Sequence, residues 1–172
     1  SQRNSAPRRT QQERRVEATD ALLAAAAELF AERGVAETSL ADIGARAGRS
    51  RGLASHHFGS KAMLVAELVL RCQRSFMTKF LSTTSKTGLD TVLHFVDVYL
   101  ESFVDPEPER RAFVVLWGST FPRRSAIPAL IQADERARVV IAGCITQGRE
   151  DGSIAPETAG DAAAVAILAL LR

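Results

Sequence analysis

Apolar residues recur at helical spacing along most of the chain. The first stripe, with members at i, i+4, i+7 and i+8, consists of Leu22, Ala26, Leu29 and Phe30. Such spacing predicts one apolar face of a helix that begins near Glu13. Gly34 follows directly after a basic residue and predicts the end of this helix. No segment shows the period-two alternation of a half-buried strand, so we predict helices only.

Two short apolar segments follow, separated by a glycine. Thr38 and Ser39 precede the segment LADIGARAG as N-cap residues, and Gly48 predicts its end. Ser50 is the predicted cap of the next short helix. The predicted buried positions of this unit are Ile43, Ala47, Leu53 and Phe58. One longer helix followed by two short helices with a tight turn between them is the outline of a helix-turn-helix.

The remaining two thirds of the chain carry longer apolar periodicities. Ser60 is the predicted cap of the first of these helices, prolines interrupt the pattern at 106 and 108, and Pro156 predicts the start of the last helix. We therefore predict an all-α fold of roughly eight helices. The predicted parts are a disordered basic arm at 1–12, a three-helix helix-turn-helix domain at 13–61 and a second helical domain at 62–172.

The last apolar run, residues 162–171, has ten residues and is about half as long as a bilayer span requires. We therefore expect no membrane partner. The run reaches Arg172 without a stop signal, so we expect the native protein to continue beyond it. Its alanines allow close helix–helix approach, which suits either one half of a four-helix dimer seam or an ordinary core helix.

Composition and charge are those of an ordinary globular protein, with 46% hydrophobic and 24% charged residues and a net charge of +2. Residues 1–61 contain ten Lys and Arg against seven Asp and Glu, so the positive excess lies near the N-terminus. This excess suits an anionic partner or a solubilising tail. The two cysteines form no CxxC motif and no signal peptide is visible, which favours a reducing compartment and a cytoplasmic location.

The segment RSRGLASHHFGSKAML concentrates small, basic and histidine side chains. It could serve as a catalytic site, a metal site or a surface for phosphate and bases. Catalysis is disfavoured because His56 and His57 point about 100° apart on a helix, and because no GxSxG elbow occurs. A metal site is disfavoured because the remaining histidine, His94, is not at ligand spacing. We expect no enzyme activity, no metal and no cofactor.

A DNA-binding surface suits the residue types of this segment better. Small side chains let a helix backbone approach the major groove, and Ser50, Gly52 and Ser55 supply them. Arg49 and Arg51 have the reach to bind guanine edges or phosphates. A solvated surface turn would accommodate the same residues, so both interpretations remain open at this point.

Residues Thr38 to Leu64 resemble the DNA-binding signature of the TetR (TetR/AcrR) family of transcriptional regulators. The matching features are Thr38, Ser39, Ile43, the Ala47-Gly48 turn, Ser50, Gly52, the His57-Phe58 pair and Ser60-Lys61. Taken with the residue types, the resemblance implies DNA contacts by Thr38, Ser39, Arg49, Ser50, Arg51, Gly52, Ser55, His56, His57 and Lys61. The chain departs from the family at Arg49, where an apolar residue is usual, and at Ser55, where an aromatic residue is usual.

The resemblance also implies a homodimer that acts as a repressor and leaves a palindromic double-stranded DNA operator when a small-molecule effector binds. Eight aromatic residues are the predicted ligand contacts, and they favour an apolar or aromatic effector: Phe76, Phe80, Phe95, Tyr99, Phe103, Phe113, Trp117 and Phe121. The same spacing also suits a packed core. Two alternatives are a helical small-molecule-binding protein without DNA binding and a helical enzyme that uses His56, His57 or His94.

Overall fold

The computed structural model describes residues 10–104, 106–118 and 127–171. Within these ranges all regular structure is helical, which confirms the predicted fold class. The helices are α1 (Gln11–Arg33), α2 (Leu40–Arg46), α3 (Leu53–Phe58), α4 (Lys61–Leu81), α5 (Gly88–Glu101), α6 (Pro108–Gly118), α7 (Pro128–Glu150) and α8 (Gly160–Leu170). The predicted arm up to residue 9, the predicted ligand contact Phe121 and the final Arg172 lie outside the described residues.

Side-chain caps set the starts of α1, α2, α4 and α5. Thr10 forms a capping box with Glu13, so α1 begins at Gln11, two residues earlier than the pattern predicts. Ser39 forms the equivalent box with Asp42 at the start of α2, and Ser60 accepts a hydrogen bond from the backbone of α4. These caps satisfy backbone donors that the first helical turn leaves without partners.

Two predicted helix starts are wrong. Ser50 does not cap α3, because residues 51 and 52 form a turn and α3 begins after Gly52 without a side-chain cap. Pro156 does not open the last helix, because it lies in a turn and α8 follows Ala159 instead. In both places the chain makes a turn where the sequence offers a residue that also suits a helix start.

Two apolar cores hold the helices together. The first contains the apolar faces of α1 and the start of α4, receives Ile43 from α2 and Ala54 from α3, and continues into α6 and α7. The second joins the end of α4 to α5, α7 and α8. Helix α4 contributes to both cores, so the predicted boundary after residue 61 falls at the start of a shared helix.

Helices α5 and α7 meet at two glycines. A Cβ atom at Gly88 would overlap the backbone of Gly148, so the start of α5 packs directly against the end of α7. Asp151, just after α7, accepts a hydrogen bond from the backbone N–H of Gly88 at 2.7 Å and reinforces this contact. None of the helices in the described ranges has the length and apolar character needed to span a bilayer.

Candidate functional site

The turn between α2 and α3 is built by two glycines. A Cβ atom at Gly44 would lie 2.6 Å from the carbonyl oxygen of Ser50 and 3.2 Å from the Cα of Arg51, so only glycine allows this approach. Gly48 has a φ of 65°, a conformation that other residues rarely adopt. Together they fold the turn back onto α2 and fix the direction of α3.

Seven of the ten predicted DNA contacts lie on the exposed surface of this unit: Ser39, Arg49, Ser50, Arg51, Gly52, Ser55 and His56. Arg51 forms no ion pair with any residue in the described ranges. Arg49 lies 3.7 Å from the Glu17 carboxylate, and both side chains are exposed, so this pair is weak. The surface therefore presents two guanidinium groups that an anion could bind.

Thr38 and Lys61 lie beneath this surface and hold the connection between α1 and α2. Thr38 is 1% exposed, and its hydroxyl donates to the Gly34 carbonyl at 2.8 Å. The Lys61 ammonium donates to the carbonyls of Val35 and Thr38 at 2.9 and 3.0 Å. The prediction that Thr38 contacts DNA is therefore not supported, and two of the three Lys61 N–H donors are already used within the protein.

His57 also has a partner inside the protein. Its Nε2 atom lies 2.7 Å from the Thr19 hydroxyl on α1. The Thr19 hydroxyl also donates to the Arg15 carbonyl at 2.9 Å, an arrangement that suits the His57 tautomer with its proton on Nε2. Burial lowers the pKa of His57, and the nearby charges of Arg15 and His56 lower it further. His57 therefore ties α3 to α1 as a neutral imidazole.

Ion pairs engage the acidic residues around α2. Arg46 binds Glu32 through two nitrogens, at 2.9 and 2.8 Å, and Glu28 at 3.1 Å. This hydrogen bonding with Arg46 holds the pKa of Glu32 below its usual value. Asp42 accepts from Ser39 and lies 3.0 Å from Arg33. These carboxylates are therefore occupied by α1 and α2 cations rather than by Arg51.

A second candidate site is an apolar cavity of about 140 Å³ among the helices from α4 to α8. Five of the eight predicted aromatic contacts line it: Phe76, Phe95, Tyr99, Phe113 and Trp117. Phe80 does not, because it is buried in the second core. Phe103 does not line it either, because it is 41% exposed beside Arg110. The aromatic pattern therefore predicts most of the cavity wall but also includes core and surface positions.

Sequence reasoning missed the polar residues of the cavity: Cys72, Gln73, Arg110, Asp134 and Arg136. Two other polar residues of these helices, His94 and Arg138, do not line the cavity. The His94 Nε2 atom lies 3.2 Å from the Phe80 carbonyl oxygen, and Arg138 pairs with two carboxylates. Arg110 carries no sequence signal because it follows a glutamate within a charged segment that is typical of a solvated helix start.

The two cysteines are thiols with different surroundings. Burial raises the pKa of Cys72 to about 12, and its Sγ donates to the Glu109 carbonyl at 3.2 Å. Burial also raises the pKa of Cys144. Both groups are therefore neutral and poorly nucleophilic near pH 7. Across the described ranges no group of three or more His, Cys, Asp or Glu side chains could hold a metal ion.

A glycine-built turn and short helix with exposed arginines, joined to helices that enclose an apolar cavity, define a helix-turn-helix protein with a second helical domain. Residues 22–68 match the family model described as bacterial regulatory proteins, tetR family. The HTH-type transcriptional repressor KstR2 from Mycolicibacterium smegmatis is 30% identical over 141 residues, covering 80% of this chain and 68% of KstR2. The chain belongs to the TetR family, as the resemblance in the sequence implies.

Two further relatives show how much of the chain shares this similarity. The HTH-type transcriptional repressor Rv3405c from Mycobacterium tuberculosis is 49% identical over 55 residues, which are 32% of this chain. The chain spans only 29% of the length of that relative. The structure of a SmeT–triclosan complex matches with a TM-score of 0.70 at 26% identity, covering 90% of this chain and 78% of SmeT. The family consists of regulatory proteins, in agreement with the expectation that this chain is not an enzyme.

Proposed function

We propose that this protein is a homodimeric transcriptional repressor that binds double-stranded DNA and leaves its operator when a small apolar or aromatic molecule occupies the cavity. The observation that carries the proposal is that Arg51, on the turn before α3 of a TetR-family helix-turn-helix, is exposed and forms no ion pair within the described residues. Two relatives are named repressors, which supports repression rather than activation of transcription. The cytoplasm, where bacterial DNA lies, is the proposed location.

In this proposal α3 and the end of the preceding turn, which carries Arg51, enter the major groove, while the start of that turn lies against the phosphates. Arg51 reads a base edge, and Arg49 binds a phosphate after releasing Glu17. The remaining contacts come from small or polar exposed groups: Ser39, Ser50, Gly52, Ser55 and His56. His57 and Lys61 act by positioning α3 and the connection before α2, because His57 Nε2 and two of the three Lys61 donors have partners within the protein. We propose the boundary near residue 61 as the functional division between the DNA-binding and ligand-binding parts.

Helix α8 supports the homodimer. One face of it is buried, with Ala164 and Leu168 in the second core. A second face is exposed and apolar, and it consists of Ala162, Val165, Ala166, Ala169 and Leu170. If two copies of the chain pack against each other through this face, a two-fold axis relates their α3 helices. Such a pair suits an inverted-repeat operator with half-sites about 34–36 Å apart.

Arg71 on α4 supports coupling between the cavity and the DNA-binding unit. Its Nη1 lies 2.6 Å from the Asp20 carboxylate on α1, and its Nε lies 3.4 Å from the Glu109 carboxylate on α6. Glu109 directly precedes Arg110, which lines the cavity. A ligand that shifts α6 would therefore also shift α1, and with it the helix-turn-helix.

The test is selection of duplexes from a library with a random segment of about two helical turns, followed by affinity measurements at several salt concentrations. We expect an inverted repeat whose affinity falls steeply with salt, because phosphate contacts release counterions. Arg51→Ala should cost about 1–3 kcal/mol of binding free energy and relax base preference at one position in each half-site. Arg74→Ala removes the same charge from an exposed site on α4 and is the matched control.

Two outcomes would contradict this proposal. If Arg51→Ala and Arg74→Ala bind the selected duplex like the parent protein, the proposed contact face is wrong. If the parent protein binds no duplex even at low salt, the chain is a helical small-molecule-binding protein without DNA binding. Footprinting of the selected duplex would show whether two half-sites are protected, which tests the palindromic operator separately.

A further inference from the structure

Arg110 on α6 has two nitrogens that form no hydrogen bond within the described part of the chain. Its Nε and Nη2 atoms are shielded from solvent and have no hydrogen-bond partner among residues 10–104, 106–118 and 127–171. Buried polar groups in proteins are nearly always hydrogen-bonded, and an unpaired buried cation is costlier still. The position therefore calls for an anionic partner that the described chain does not supply.

Three aromatic rings surround this guanidinium. Its Cζ lies 4.5 Å from the ring centre of Tyr99, 4.3 Å from that of Phe103 and 5.5 Å from that of Phe113. Ring faces attract the cation, and Tyr99 also hydrogen-bonds with it, but Nε and Nη2 are left without acceptors within the described residues. Nε and Nη2 are neighbours along one edge of the guanidinium, and such a pair matches the two oxygens of a carboxylate.

The cavity beside Arg110 suits a small ring. Its volume of about 140 Å³ is close to that of an engineered apolar cavity, of about 150 Å³, that binds benzene. Among its other charged lining residues, Arg136 already donates to Gln73, and Asp134 carries the single carboxylate. The neutral thiol of Cys72 adds no charge. The described lining thus contains two cations and one anion, which favours an anionic ligand.

We propose that the cavity binds a small aromatic or alicyclic carboxylate, with the ring against Phe76, Phe95 and Trp117 and the carboxylate on Nε and Nη2 of Arg110. This inference rests on the proposed function, since it names the chemical class of its effector. Arg110 is also a wall of a second, more polar cavity of about 240 Å³, which contains Arg71 and Glu109. A carboxylate on Arg110 therefore lies next to the ion pairs that connect α6 with α1.

The test is calorimetric titration of the purified full chain with benzoate and para-ethylbenzoate, each compared with its neutral amide. The parent protein should bind at least one carboxylate roughly 10- to 100-fold more tightly than the matching amide, as expected for hydrogen bonds to a charged group. Arg110→Met should lose this preference. Arg110→Lys keeps the charge without the paired donors and should fall between them. Arg111→Met removes the same charge from the exposed neighbour of Arg110 on α6, which does not line the cavity, and it should keep the preference.

Equal affinity of the parent for acid and amide, no binding of any probe, or a preference that survives in Arg110→Met would overturn the inference. Removing an unpaired buried charge should not prevent folding, which a melting curve of Arg110→Met checks. If that variant nevertheless fails to fold, Arg110→Lys decides: unchanged carboxylate affinity overturns the inference, and a selective loss supports it. Binding of the selected duplex without ligand is measured in parallel. Its absence would overturn the repressor proposal but leave the carboxylate preference standing.

Discussion

Arg51 and Lys61 are both cations of the helix-turn-helix unit, but their surroundings give them different roles. Arg51 is exposed, whereas two of the Lys61 donors bind the carbonyls of Val35 and Thr38. Those carbonyls lie in the connection between α1 and α2, so the ammonium holds this connection in place. Ser39 and Thr38 also have different roles. Ser39 caps α2 at the surface, whereas Thr38 donates a hydrogen bond to the Gly34 carbonyl in the interior.

His57 makes stability depend on pH at the residue scale. Burial holds its pKa below the usual 6.5, so the unfolded chain binds a proton more readily than the folded protein. Folding stability should therefore decrease as pH falls below about 6.5. In His57→Gln the side-chain amide can still donate to Thr19 but does not titrate, so its melting temperature should decrease less over the same range. Thermal denaturation at several pH values checks this.

His56→Gln is the matched control for the pH experiment. His56 is the exposed neighbour of His57 on the same short helix. Its replacement should leave the acid-side decrease close to that of the parent protein. If His57→Gln loses as much melting temperature as the parent on acidification, His57 is not the group responsible.

At the scale of elements, α3 depends on its neighbours. It has six residues and no side-chain cap, so it is too short to be stable alone. Ala54 buries it in the first core, Gly44 lets α2 pack against the preceding turn, and His57 binds α1. The position of this helix is therefore fixed by tertiary contacts rather than by helix propensity.

Gly44→Ala should loosen this arrangement. The added Cβ would meet backbone atoms of Ser50 and Arg51, which cannot rotate away as a side chain can. We expect a loss of about 1–3 kcal/mol in the free energy of unfolding, the usual cost of overpacking. Chemical denaturation of the variant measures this loss, and weaker DNA binding should accompany it because the turn would shift.

Gly143→Ala is the control for this substitution. Gly143 is also helical, in α7, but a Cβ there meets no atom within 4 Å. This variant should gain roughly 0.5–1 kcal/mol, since alanine favours helices over glycine. A Gly44→Ala variant as stable as Gly143→Ala would show that the turn does not require the close approach.

At the scale of the molecule, the exposed apolar face of α8 is the proposed contact between two copies. Val165 is 54% exposed at its centre. Val165→Glu should convert a dimer into a monomer of 18.6 kDa, because a buried carboxylate without a partner is costly. Analytical ultracentrifugation measures the mass, and operator affinity should fall because each half-site is then bound separately.

Leu93→Glu provides the comparison. Leu93 lies on α5 with 53% exposure, nearly that of Val165, so the same charge enters an equally exposed apolar position. This variant should remain a dimer. A parent protein that sediments as a monomer, or a dimer that survives Val165→Glu, would move the proposed contact away from α8.

Particular residues separate what could be predicted from what could not. Apolar periodicity predicts helices because burial of one face requires a repeat near 3.6 residues, and the stripe from Leu22 to Phe30 is buried accordingly. Gly34 and the cap Ser39 are equally local signals. The start of α3 could not be predicted, because its N-cap residue Gly52 has no side chain that could mark the helix start. The turn before it depends on close contact with Gly44, which lies in the preceding helix α2.

The sequence by itself determined the all-helical fold, the helix-turn-helix and the family, because periodicity, caps and turn residues act within a few positions of the chain. Only the tertiary structure decided which polar groups face inward. Lys61, His57 and Arg110 contact residues on other helices or in the connections between them, and no spacing along the chain encodes such contacts. The partners of a long polar side chain are set by helix packing, which brings together residues distant in sequence.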